Sequence, residues 1–138
     1  MRLIATGLNA FDTSVEPEAV VKFLSRPLDV LELVASGEAN RYIILAQGGT
    51  TTFLSPVLAE GTRGILTMSG APQSHLGILS REFQIPCIMT LALEGWNRRY
   101  VPGESGPDYF AHLVTTLDGK RVRMSCGDPR TGKVWMIE

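Results

Sequence analysis

The stretch Gly64-Ile65-Leu66-Thr67-Met68-Ser69-Gly70-Ala71-Pro72-Gln73-Ser74-His75-Leu76-Gly77-Ile78-Leu79-Ser80-Arg81-Glu82-Phe83-Gln84-Ile85-Pro86-Cys87-Ile88 changes its apolar period twice. Arg63 to Met68 predicts a short strand. Ser69 to Gln73 holds Gly and Pro and predicts a loop. Ser74 to Phe83 predicts a helix, and Gln84-Ile85-Pro86 turns the chain into another strand, Cys87 to Thr90. Working outward, Tyr42-Ile43-Ile44-Leu45-Ala46 is an earlier buried strand, and Gly48 to Thr52 is its loop. Phe53 to Glu60 predicts a short helix, with Pro56 early enough to sit in the first turn. Strand, loop and helix, repeated and followed by a third strand, predict an α/β domain: a short parallel sheet with right-handed crossovers and flanking helices.

The ends of the chain read differently. Residues 1–40 predict a helical N-terminal extension to a domain spanning 41–138. Asp12, Thr13 and Ser14 offer N-caps, and Pro17 suits a first turn. Val20, Val21, Phe23 and Leu24 make an apolar stripe. Pro27 restarts the helix, Leu28, Leu31, Leu33 and Val34 share a side, and Gly37 is a C-cap candidate. Residues 94–108 carry Gly, Pro and charge and predict an exposed loop; Trp96 to Tyr100 reads as a solvated part of it. Tyr109 to Leu117 is a strand candidate that places His112 in a structural role on an apolar strand. Asp118-Gly119 marks a tight turn. Arg121 to Met124 and Lys133 to Ile137 predict a closing β-hairpin.

Composition narrows the function. The chain has 138 residues and a mass of 15.1 kDa, which suits one domain. That length is short for a complete multi-step enzyme with separate nucleotide and substrate domains, so it points to one part of such a reaction. Lys plus Arg is 13 and Asp plus Glu is 14, a net charge of −1, which is no footprint for nucleic acid or an anionic membrane. Neither a membrane span nor a signal peptide is expected. Cys87 and Cys126 form no framework and read as reduced, buried thiols of a cytoplasmic protein. No His, Cys or carboxylate cluster has metal-ligand spacing, and there is no P-loop motif.

In an open parallel sheet, ligands bind beyond the carboxyl ends of the strands. Two glycine-bearing, hydroxyl-rich loops leave that edge, Gly48 to Thr52 and Ser69 to Ser74. Each leads into a helix N-terminus, whose free N–H groups and positive dipole end favour an anion. His75 opens the second helix, beside Ser69, Ser74 and the hydroxyls of Thr50 or Thr51. This arrangement suits attack by a neutral imidazole on a phosphoryl group, with the helix end holding the phosphohistidine formed. From position alone, His75 can equally be a capping or surface polar residue.

The segment resembles the phosphohistidine, or swivelling, domain of the phosphoenolpyruvate-utilising enzymes. That family's motif reads G-I-V-T-x-x-G-G-x-[ST]-S-H-x-A-I-x-A-R-E-x-G-I-P-x-V. The chain matches it at Gly64, Ile65, Thr67, Gly70, Ser74, His75, Ile78, Arg81, Glu82, Ile85 and Pro86. Thr50-Thr51-Thr52 through Pro56 is similar to the family's T-T-P-D-x-x-P segment, and Asp118 to Val134 to its closing hairpin. The resemblance implies the swivelling β/β/α fold and phosphorylation of His75. Gly70, Ser69, Gln73, Ser74, Thr50 and Thr51 would then bind the phosphate.

The chain departs from the family in the loop before His75, at Phe53 and Leu54, which stand where T-T-P-D has Pro and Asp, and in residues 1–40, which do not look like its usual entry strand. Ala71 replaces its second glycine, Pro72 follows, and Gln73 stands in place of Thr or Ser, though its amide can still donate. Arg81 lies six residues beyond His75, about 240° around a helix, so Arg81 and Glu82 read as a structural or docking pair.

The expected function is that of a stand-alone phosphoryl carrier. Its donor would be an ATP-grasp-like nucleotide-binding domain or subunit, or a phosphoenolpyruvate/pyruvate-binding one. Magnesium and ATP or phosphoenolpyruvate would sit at that partner and no cofactor on this chain. The alternatives are a non-catalytic regulatory module that keeps the fold, favoured by Ala71-Pro72-Gln73, and a metabolite-binding domain using the same anion pocket.

Overall fold

The computed structural model describes residues 1–48, 54–95 and 107–137. Its strands are β1 (Arg2–Asn9), β2 (Glu18–Phe23), β3 (Tyr42–Ala46), β4 (Gly64–Thr67), β5 (Cys87–Leu93), β6 (Arg121–Ser125) and β7 (Thr131–Met136). Its helices are α1 (Pro27–Ser36), α2 (Ser55–Ala59), α3 (His75–Phe83) and α4 (Pro107–Leu117).

The strands close into a barrel in the order β1-β5-β4-β3-β2-β6-β7. This overturns the expected swivelling β/β/α arrangement, a short parallel sheet with flanking helices. Parallel pairing runs from β2 through β3 and β4 to β5. That arc does not end in open edges. β1 pairs antiparallel with β5 on one side and with β7 on the other. The antiparallel β6–β7 pair is joined to the arc by β6 against β2. Closure satisfies the backbone groups that two sheet edges would otherwise leave unpaired.

The helical N-terminal extension is therefore corrected over much of its length: β1 and β2 are staves of the barrel. In Glu18–Phe23 every other residue, Ala19 and Val21, is buried. The apolar pair Val20-Val21 and Phe23 suited a helical stripe, but a six-residue run does not separate the two periods. The β-branched and aromatic side chains pack better on a pleated surface. Residues 27–36 do form a helix, with Pro27 in the first turn and Gly37 as its C-cap at φ 74°. The Asp29 carboxylate accepts the backbone N–H groups of Ser25 and Arg26 and pairs with the Arg26 guanidinium. Those bonds, the backbone bond from Ser25 foremost, hold its pKa down at about 2.

Period-2 alternation splits the core in two. Ile43 and Leu45 of β3 join residues from all seven strands, such as Val21, Leu66, Ile88, Val122 and Val134, inside the barrel. Ile44 and Ala46 point the other way, against Val30 and Leu33 of α1, Val57 and Leu58 of α2, and Leu76 of α3. The three crossover helices thus cover the outside of the parallel arc.

Tyr109 to Leu117, expected as a strand, lies in α4, and with it His112. Tyr109, Leu113 and Leu117 recur at the four-residue spacing of one helix face and are buried in the barrel cluster. The Tyr109 hydroxyl donates to Leu91 O at 2.6 Å, and the Phe110 ring meets Phe23 edge-on with centroids 5.3 Å apart. The Asp118-Gly119 turn joins α4 to β6, with Gly119 at φ 78° and the Asp118 carboxylate accepting Phe23 N–H. Leu113 is 0% exposed. Leu113→Ala is expected to cost about 2–5 kcal/mol, read as a lower denaturant midpoint at unchanged slope. Among the described residues, no helix is long and apolar enough to cross a membrane.

Candidate functional site

The site is built where β3, β4 and β5 end. β4 finishes at Thr67, the chain loops through residues 68–74, and α3 begins at His75. Ser74 is the N-cap: its backbone is extended and its Oγ accepts the Gly77 N–H at 3.4 Å. Ser74 O accepts Ile78 N–H, and Ser74 N–H donates back to Ala71 O. At the far end Gln84 takes a left-handed conformation, φ 58°, and its N–H and that of Ile85 close the last turn on Arg81 O and Ser80 O. α3 is thereby capped at both ends and docked by Leu76, Gly77 and Ser80, which are buried.

His75 is exposed, in the first turn of this nine-residue helix. Among the described residues its imidazole has no hydrogen-bond partner, and the backbone N–H groups of His75 and Leu76 have no acceptor. These are the donors that a helix start presents to an anion.

The other expected phosphate residues fall into distinct positions. Ser74 is half-buried beneath His75, with its Oγ also 3.9 Å from Met89 Sδ. Gln73 is exposed beside it. Gly70 lies at φ 117°, packed over the Met89 methyl. The Ser69 hydroxyl donates to Gln47 O at 3.1 Å, and Ser69 N–H donates to the same carbonyl at 3.0 Å. Ser69 therefore ties the β3 exit to the β4 exit. Thr50 and Thr51, with Thr52 and Phe53, lie outside the described residues. So does the Trp96 to Tyr100 stretch. The Arg81 guanidinium donates to Ala10 O at 3.3 Å, which links α3 to the end of β1; Glu82 is exposed.

Four residues that sequence reasoning did not count among the phosphate-site residues shape this site. Thr67 Oγ1 donates to Ser69 O at 2.7 Å, and Thr90 Oγ1 donates to Gly70 O at 2.6 Å. Gly48, at φ 106°, lets the β3 loop press on Ser69: a Cβ there would lie 2.8 Å from the Ser69 carbonyl carbon. Gly77 lets α3 press on Pro72 in the same way. The glycines were visible as letters, but their close approaches are tertiary. Cys87 and Cys126 are free and buried.

Residues 40–95 match the family PEP-utilising enzyme, mobile domain. No curated protein matches the chain. The matched residues run from β3 through β5 and include the whole loop and helix that present His75. The match supports a phosphoryl-carrying module of the PEP-utilising enzyme family in this part of the chain.

Proposed function

We propose that the protein is a stand-alone phosphoryl carrier that is charged and discharged at His75. The observation that carries this reading is an exposed imidazole at the start of α3, beside unbonded helix N–H groups, inside the matched segment. A neutral imidazole nitrogen attacks the phosphorus of the donor in line. The bond from phosphorus to the donor's leaving oxygen breaks as the N–P bond forms. The phosphoryl oxygens then meet the N–H groups of His75 and Leu76 and the Gln73 amide. The helix end contributes about 0.3–1 kcal/mol at such an exposed position. Transfer to the acceptor reverses these steps on a new oxygen.

Phosphoryl transfer depends chiefly on positioning and charge neutralisation. The carrier supplies the nucleophile and the donors. An ATP-grasp-like or phosphoenolpyruvate-binding partner would supply magnesium and the phosphoryl group. The exposure of His75 suits entry into a partner's active site.

The test is incubation with such a partner and γ-labelled ATP or labelled phosphoenolpyruvate. An acid-labile, base-stable label is expected on the native chain and none on His75→Ala. Label of that kind persisting on His75→Ala would overturn the assignment, and no label with either donor class would favour a non-catalytic binding module.

A further inference from the structure

Thr90 is a β-branched residue at φ 53°, a left-handed conformation such residues rarely adopt. It sits inside β5, where the pairing with β1 slips: Leu8 faces Met89, but Thr6 faces Ala92. The slip is a bulge, a device that re-aims a side chain out of the regular pleat. Here it accompanies a 2.6 Å hydrogen bond from Thr90 Oγ1 to Gly70 O, in the loop that leads to His75. The preceding residue, Met89, touches both Gly70 and Ser74. β5 thus grips the loop at its start and its end.

The consequence lies in the peptide that follows. In a trans peptide the C=O and the next N–H point in opposite directions. Tying Gly70 O to Thr90 turns the Ala71 N–H away from β5, and among the described residues that N–H has no acceptor. It also removes a carbonyl oxygen from the surface on which a phosphate would rest.

We infer that Thr90 is a positioning residue of the phosphoryl site: its bond to Gly70 O orients the Gly70–Ala71 peptide so that Ala71 N–H donates to the phosphoryl group on His75. This rests on the carrier function proposed above. The backbone strain at position 90 is held for that purpose.

The test charges the full chain with phosphoramidate, which needs no partner. The imidazole nitrogen attacks phosphorus, the N–P bond of the reagent breaks, and ammonia leaves. Phosphorus NMR then follows the phosphohistidine of the native chain and of Thr90→Ser, Thr90→Val and Thr90→Gly. His75→Gln, which keeps His112, identifies the signal that belongs to His75.

Loss of a donor to the dianion is expected to raise the second ionisation of the phosphoryl group by about one unit. It is also expected to change the hydrolysis rate about tenfold. Both changes should appear in Thr90→Val and Thr90→Gly and be absent in Thr90→Ser. Thr90→Gly separates this role from one of backbone strain, because glycine accepts the left-handed conformation at no steric cost; a denaturant midpoint measured alongside confirms that the variant is folded. Native-like ionisation and lifetime in Thr90→Gly would overturn the inference. A native chain that yields no His75-dependent signal would instead overturn the carrier function itself.

Discussion

Gly77→Ala is expected to destabilise the protein by about 1–3 kcal/mol and to abolish labelling at His75. The sign is the informative part. Inside a helix, alanine is favoured over glycine by about 0.8–1 kcal/mol, so the exchange on an exposed helix would stabilise. Position 77 is not exposed. A Cβ there would lie 2.8 Å from the Pro72 carbonyl carbon and closer still to its oxygen. Pro72 is backbone of the loop that carries Ser74, and it cannot yield as a flexible side chain would. Either α3 lifts from the barrel or the loop from residues 69 to 74 shifts, and both move His75 away from Ala71 and Ser74. Denaturant unfolding measures the first effect and phosphoryl labelling the second. Gly37→Ala is the control: its Cβ would meet nothing within 4 Å, so it carries only the cost of a left-handed φ of 74°, and labelling should be unaffected. A stabilised, fully labelled Gly77→Ala would show that the loop does not bear on the site.

The thiols should be almost inert until the chain unfolds. Burial pushes Cys87 up to about 12 from 9.0, with a hydrogen bond involving Ser80 opposing the shift and Cys126 adding to it. Burial likewise raises Cys126 to about 12, with the Glu16 carboxylate adding to the shift. Three pK units lower the thiolate fraction about a thousandfold, before steric exclusion is counted. Alkylation at pH 8 is therefore expected to be at least a thousandfold slower in the folded chain than in denaturant. The same groups set an alkaline limit. With pKa raised on folding, the native state holds the proton that the unfolded chain releases above pH 9. Stability is then full below pH 9 and falls between pH 9 and 12, by up to about 1.4 kcal/mol per pH unit for each thiol. Equilibrium unfolding at pH 8, 9.5 and 10.5 reads this slope. Replacing Cys126 with Ala should flatten it, whatever the effect on absolute stability. Rapid alkylation of the native chain would contradict the buried geometry.

Much of the centre of the chain was legible in its residues. Tyr42–Ala46 is a continuous apolar run of strand length, and Gly64–Thr67 lies within a short strand-length stretch between a Gly-containing turn and a Gly/Pro loop. Ser74 and the turn before Cys87 bracket α3 in the sequence as they do in space. Local chemistry is sufficient there, because a cap, a turn and a period of 3.6 or 2 each span only a few residues. His75 could be placed at a helix start for the same reason, and Gly70 and Ser74 in the loop around it.

The ends were not legible, for a different reason in each case. Glu18–Phe23 is too short to show its period, and its strand pairs with residues far along the chain. Arg2–Asn9 has no fold of its own until β5 and β7 lie on either side. In Tyr109–Leu117 the aromatic and β-branched letters outweighed the spacing of Tyr109, Leu113 and Leu117, which only the barrel cluster reveals as one buried face.

By itself, then, the sequence determined the strand–loop–helix order around His75, the cap of α3 and the family of residues 40–95, all set by interactions within a few residues or by a contiguous motif. The tertiary structure alone decided that the sheet closes into a barrel, because closure depends on β1 finding two distant strands at once. It alone decided the grip of Thr90 on Gly70 and of Gly77 on Pro72. Those contacts exist only where elements meet, and no local pattern of letters encodes a 2.6 Å bond between residues twenty apart.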